Sequence, residues 1–295
     1  MISFVQSLLP RRLHTGATQP SADLTFDYAA DPDPKDIRNT LYRRGCAVIR
    51  GLISRQDMDS YTALAERTFD ICAGMLKILD IGDTEPLDSI TEVRLRKFVA
   101  NVRIGQLESD YFRYLNSGAT LYDVLMRNKE RRAFVLSVLG REWFPGASVV
   151  RRVSPLVEQQ DKLWQQPIRM HCDGPALSRH AYSLNFWVPL NDCHGASPGL
   201  QLVPGAFSEM QARMNHDWVT CSVDEKIELE LQGLYSNGED GLPRFVPSLD
   251  RGDVVVFHNW IMHGTHATAR MTKPRTSFEL RFNAPERADF EAFAG

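Results

Sequence analysis

The sequence predicts an α+β fold in which a jelly roll, a double-stranded β-helix, is buttressed by N-terminal helices. Three observations carry this expectation. Apolar residues recur at helical spacing through much of residues 35–140. From about residue 147 to 284 the texture changes to short β-rich runs separated by Gly, Pro and Asn. No internal repeat is visible, so the closely spaced strands favour one sandwich or barrel over an array.

In chain order, residues 1–22 read as a loosely held tail and residues 23–295 as a single domain. The apolar Ile2, Phe4, Val5, Leu8 and Leu9 precede Arg11 and Arg12, the reverse of a secretory signal. A short membrane-surface helix is the alternative for this tail. Asp31-Pro32-Asp33-Pro34 punctuates the start of order, and a helix follows through Arg43, ending at Gly45. Cys46 to Arg50 reads as a strand. Ser54 with Asp57 resembles a capping box, and Met58, Tyr61, Leu64, Ala65, Phe69, Cys72, Met75, Leu76 and Leu79 predict one long helix. After a loop over 81–90, helical patterns return at Glu92 to Leu107, Leu121 to Asn128 and Glu130 to Leu139. The β half then offers Val149 to Val153, Ile168 to His171, Ser183 to Leu190, Leu200 to Val203, Arg244 to Val246, Val254 to Phe257, His266 to Thr268 and Thr276 to Phe282.

Composition bounds the function. With 295 residues, 43% hydrophobic and 24% charged, the chain has the apolar content of a sizeable core. A formal net charge of -3 gives no global electrostatic reason to expect nucleic acid as a partner. The five cysteines, Cys46, Cys72, Cys172, Cys193 and Cys221, are odd in number and contain no CxxC pair. That pattern indicates neither a disulfide framework nor a zinc knuckle, and a reducing, cytoplasmic compartment is the simpler expectation. No apolar run approaches the length of a transmembrane helix.

The chemistry concentrates in Met170-His171-Cys172-Asp173-Gly174 and, about ninety residues later, in Gly252-Asp253-Val254-Val255-Val256-Phe257 with His263-Gly264-Thr265. On a strand, alternation puts His171 and Asp173 on one face and turns Cys172 away. Alone, an HxD triplet is commonplace. Joined by His263, it supplies two imidazoles and one carboxylate that can cover one face of a ferrous ion and leave the other open. Arg275 lies twelve residues beyond His263 and can take the distal carboxylate of an oxoacid bidentately.

These residues resemble the phytanoyl-CoA dioxygenase superfamily of Fe(II)/2-oxoglutarate-dependent oxygenases. The likeness runs over most of residues 36–283: Arg44 to Leu52, His171 to Gly174, Trp187-Val188-Pro189-Leu190, Gly199 to Gly205, and the block from Gly252-Asp253 to His263-Gly264. It implies a cupin-like core in which His171, Asp173 and His263 bind Fe(II). It further implies that Arg275 binds 2-oxoglutarate, that Thr265 assists there, and that Trp187 and Asn185 line the pocket, with O2 as the second cosubstrate. Plain core packing is the competing role for Trp187. His258, His266, His180 and His194 compete as ligands, and Arg270 and Arg281 compete with Arg275. Halogenating relatives carry a small residue in place of the carboxylate, so Asp173 favours hydroxylation.

Two other readings stay open: a jelly-roll hydrolase or isomerase using Zn(II) or Mn(II), and a non-catalytic binding protein on a degenerate barrel. The expected partner is a small-molecule substrate. Arg151, Arg152 and Arg169, on or beside strands leading into the iron motif, would suit an anionic one, although a solvated sheet edge accounts for them equally. The segment from Ala206 to Arg244, with Trp218, Tyr235 and the Gly238 to Gly241 turn, is the expected lid together with the helical region. Desaturation, ring formation and epimerisation share the same ligand set.

Overall fold

The computed structural model describes residues 23–63, 121–140, 144–156, 167–168, 170–171, 173, 183–205 and 244–283. The tail, the expected long helix beyond residue 63, the expected helix at Glu92 to Leu107 and the lid segment from Ala206 to residue 243 lie outside the described residues.

Helix α1, Pro34–Arg44, starts where Asp33 accepts a hydrogen bond from the Lys35 amide at 2.8 Å, with Pro34 at the first turn. Ile37 and Leu41, four residues apart, bury one face of it. Gly45 ends it at φ 73°, a left-handed conformation that glycine adopts without strain, and the chain passes directly into β2, Cys46–Arg50. Residues 55–63 are helical, with the Ser54 hydroxyl accepting from the Asp57 amide at 3.2 Å. Two further helices, α2 (Leu121–Met126) and α3 (Lys129–Leu139), meet around Arg131. Its guanidinium is buried and donates to the carbonyls of Leu125 and Val124 and to Asp57, binding the three helical pieces together.

Six strands form the larger sheet, in the order β1-β2-β6-β4-β8-β3. They are β1 (Thr25–Asp27), β2, β3 (Phe144–Val153), β4 (Ser183–Pro189), β6 (Val254–His258) and β8 (Arg275–Asn283). Only β1 and β2 run parallel among these pairs. A two-stranded antiparallel sheet pairs β5 (Gly199–Leu202) with β7 (His263–His266). Every residue of β4 and of β6 is buried, as expected of central strands covered on both sides. Burying each such valine or phenylalanine contributes about 1.5–3 kcal/mol.

Register decides which residues can reach the site. Directly paired residues share a sheet face. Asn185 pairs with Arg281 and with Phe257, and Trp187 pairs with Glu279 and with Val255. The alternate residues Phe186, Leu280 and Val256 pair on the opposite face, and they join Ile37, Leu41, Val135 and Val138 in one core cluster.

Gly252 and Asp253 prove to be an anchor for this sheet. Gly252 has φ 97°, and a Cβ there would lie 2.4 Å from the Ile53 carbonyl oxygen, so only glycine fits. The buried Asp253 carboxylate accepts from Arg50 Nη1 at 2.6 Å, the Gly51 amide at 2.8 Å and the Asp250 amide at 2.9 Å. It fixes where β6 begins against β2.

Several strands differ in extent from expectation. β3 begins five residues before Val149, and β1 carries too little alternation to be seen in the sequence. Ile168 to His171 and Arg244 to Val246 supply only isolated bridges, His171 to His263 and Phe245 to Leu202. The strand expected at His266 to Thr268 lies three residues earlier, so that His263 opens β7.

Candidate metal centre

His263 is placed by β7 and His171 by the bridge between them, in which each backbone amide donates to the other residue's carbonyl at 2.9 Å. Asp173 follows two residues on. His171 Nε2 lies 3.5 Å from Asp173 Oδ1, and His263 Nε2 lies 3.8 Å from Asp173 Oδ2. One donor atom from each residue falls within 4.8 Å of the others, close enough to hold one metal ion.

Local contacts prepare these donors. His263 Nδ1 is 3.0 Å from the Ile261 carbonyl, which assigns the proton to Nδ1 and leaves the Nε2 lone pair for the cluster. Its ring packs between Phe257 and His171, with centroids 4.6 and 4.3 Å away. Burial first, and the nearby His171 second, push its pKa down to about 4, so the imidazole is neutral at pH 7. For Asp173 burial acts upward, but the His171 hydrogen bond and the charges of His263, Arg281 and His171 outweigh it and hold the carboxyl well below the usual range. With His263 neutral, Arg281 is the cation that persists beside it. Two imidazoles and one ionised carboxylate fit a divalent ion of the first transition row, Fe(II) included.

A cleft of about 80 Å³ opens on this cluster. Both sheets line it. Trp187, Arg275, Ser277, Glu279 and Arg281 come from β4 and β8, and Leu200, His263 and Thr265 from β5 and β7. Arg275, 2% exposed, opens β8, donates from Nη1 to the Gly199 carbonyl at 3.2 Å and sits 5.1 Å from the Trp187 ring centroid. That cation–π contact holds the guanidinium against one wall. The Thr265 hydroxyl accepts from the Ile168 amide at 3.0 Å and retains its own proton to donate.

Six of the seven residues singled out from the sequence thus line one cleft: His171, Asp173, His263, Thr265, Trp187 and Arg275. Asn185 is fully buried behind it, with Nδ2 2.8 Å from Asp173 Oδ2. The competitors separate from the cluster. His258 is buried, accepts from the Trp260 amide at 3.1 Å, and burial pushes its pKa down to about 3. His266, His194 and Arg270 line a separate groove. Arg281 does reach the site, but at Asp173. Arg152 sits on β3 beside Thr276 and is not among the residues lining the cleft. His180, Arg169 and Cys172, and the side chain of Arg151, lie outside the described residues. Asp192, His194 and Asp250 also come together, but all three are exposed, where acidic groups gather commonly without a metal.

Ser277 and Glu279 went unnoticed in the sequence. The signal was there: counting by twos from Arg275 along β8 reaches Ser277, Glu279 and Arg281, all on the cleft face.

Among solved structures, the chain is similar to the non-heme α-ketoglutarate-dependent epimerase SnoN from nogalamycin biosynthesis, with 18% identity, a TM-score of 0.48, and 87% of this chain and 84% of that one covered. The carbocyclase SnoK from the same biosynthesis gives 14% identity, a TM-score of 0.46, and coverage of 83% and 82%. AviO1 from Streptomyces viridochromogenes Tue57 gives 15% identity, a TM-score of 0.47, and coverage of 84% and 93%. Likeness of this degree assigns no activity. No curated protein sequence matches the chain. The family model described as Phytanoyl-CoA dioxygenase (PhyH) matches residues 41–275, most of the chain, and the protein therefore belongs to the phytanoyl-CoA dioxygenase family.

Proposed function

We propose that this member of the family is an Fe(II)- and 2-oxoglutarate-dependent hydroxylase acting on an unactivated C–H bond of a small-molecule substrate, with His171, Asp173 and His263 as metal ligands. The observation that carries the reading is the convergence of these three donors in a cleft whose wall also presents Arg275. When bound, Fe(II) with 2-oxoglutarate and O2 supplies the oxidising power that a C–H bond requires, and succinate and CO2 leave as the products of the cosubstrate.

The chain's own residues bind, orient and exclude water. His263 and His171 present imidazole nitrogens, and Asp173 a carboxylate held ionised by the His171 hydrogen bond first and by His263 and Arg281 after it. Arg275 offers its guanidinium to the distal carboxylate of 2-oxoglutarate, braced by Trp187 so that the donor fork is set before the ligand arrives. Thr265 can add a hydroxyl donor beside it. The apolar Ile168 and Leu200 help to keep the cleft dry. We read the two sheets that flank the cleft as the halves of a jelly roll.

Asp173 favours hydroxylation over halogenation, which needs that coordination position for a halide. A Zn(II) or Mn(II) hydrolase gives Arg275 no task, and a non-catalytic barrel gives none to the triad. The test is iron-dependent conversion of 2-oxoglutarate to succinate. His171→Ala and Asp173→Ala should each reduce it to background, and unchanged succinate formation in either variant removes the ligand assignment.

A further inference from the structure

Asp173 is held from behind by two central strands of the larger sheet. Its Oδ2 accepts from Asn185 Nδ2 at 2.8 Å and from Arg281 Nη2 at 3.0 Å. A carboxylate oxygen has two lone pairs in its plane, so these two donors fill Oδ2. Oδ1, which neither donor touches, lies 3.5 Å from His171 Nε2, while His263 Nε2 lies 3.8 Å from the occupied Oδ2.

Arg281 is itself fixed. Its Nη2 lies 2.6 Å from Glu279 Oε1 and its Nε 3.3 Å from Asn185 Oδ1. The arrangement follows from strand register, since Asn185 pairs directly with Arg281 and Trp187 with Glu279. All four side chains concerned, Asp173, Asn185, Glu279 and Arg281, are largely or wholly buried.

Resting on the metal assignment above, we propose that Asn185 and Arg281 are positioning residues that restrict Asp173 to a single ligating oxygen, Oδ1, and that Glu279 sets Arg281 for this role. The consequence is a matter of coordination count. A six-coordinate ion bound by two imidazoles and one oxygen keeps three places for outside ligands. A carboxylate binding through both oxygens would leave two, which a chelating 2-oxoacid alone would fill. The clamp therefore preserves the place that O2 requires. Arg281, engaged by the carboxylates of Asp173 and Glu279, serves the metal ligand.

The experiment uses Mn(II) as the probe, with binding read by calorimetry and the water coordinated to bound Mn(II) read by water-proton relaxation. Arg281→Gln and Asn185→Ala should weaken Mn(II) binding about 10–100-fold, the usual effect of removing a partner of a metal ligand. Relaxation enhancement per bound Mn(II) should fall as Asp173 takes a second coordination place. Arg281→Lys should recover part of both effects, and Glu279→Gln should reproduce them more weakly. Folded variants, judged by thermal melting, with wild-type affinity and relaxation would overturn the proposal. So would an Arg281→Gln protein that loses 2-oxoglutarate affinity while keeping its Mn(II) affinity. If Arg281→Gln fails to fold, the Asn185→Ala pair of readings decides alone. A wild-type chain that binds no Mn(II) would instead sink the ligand assignment itself.

Discussion

In the proposed function, Arg275 and Trp187 concentrate what single residues contribute to cosubstrate binding. A buried guanidinium braced against an indole loses little freedom when it captures a carboxylate. Arg275→Ala should weaken 2-oxoglutarate binding by about 1.5–3 kcal/mol, roughly 10–150-fold, leaving Mn(II) affinity near wild type. Trp187→Ala should cost less, about 0.5–2 kcal/mol, because it removes the brace and leaves the charge. Calorimetry with 2-oxoglutarate on Mn(II)-loaded protein checks both, and equal losses would mean that Trp187 touches the ligand directly. At this scale much was legible in the sequence. The three side chains that converge, His171, Asp173 and His263, announced themselves through residue type and spacing. The partnership of Asn185 with Arg281 did not, because ninety-six residues separate them and only the β4–β8 register brings them together.

Elements supply that register, and the Gly252-Asp253 turn shows how. In sequence it helped to point towards the metal site; in the structure it works at the other edge of the sheet, tying β6 to Arg50 and Gly51 of the β2 end. Its chemistry is backbone capping. Gly252→Ala should lower stability by about 1–3 kcal/mol, since the left-handed conformation and the approach to the Ile53 carbonyl both oppose a Cβ. Chemical denaturation measures it, and a loss below 0.5 kcal/mol on the order of a surface substitution would show that the turn relaxes. Helix α1 was legible because its boundary signals are local, Asp33-Pro34 and Gly45, and α3 because its apolar residues recur at helical spacing. The bridges at His171 and Phe245 were not, because one or two ladder bonds leave no periodicity to read.

For the whole molecule, the dry sheet interior imposes a pH dependence on folding. His258 is buried in β6, and its pKa falls from 6.5 to about 3. Below 6.5 the unfolded chain takes up a proton that the folded chain refuses until about pH 3, so stability is full above 6.5 and is lost as pH falls through that window. Between pH 7 and pH 5 this one group removes about 2 kcal/mol. Denaturant midpoints at the two pH values should show the loss in the wild type and a shallower dependence in His258→Asn; identical slopes would contradict it. The mixed α+β class was readable from the change of texture near residue 147. How the two sheets meet around one cleft was not, since it depends on contacts between β7 and the segment of His171. Among the described residues no helix is long and apolar enough to cross a membrane.

The proposed chemistry depends on where one metal ion and one oxoacid sit. An anaerobic crystal structure with Fe(II) and 2-oxoglutarate tests that most directly. It should show the ion on His171 Nε2, His263 Nε2 and Asp173 Oδ1 alone, with the distal carboxylate on Arg275. An ion bound elsewhere, or a distal carboxylate on Arg281, would contradict it.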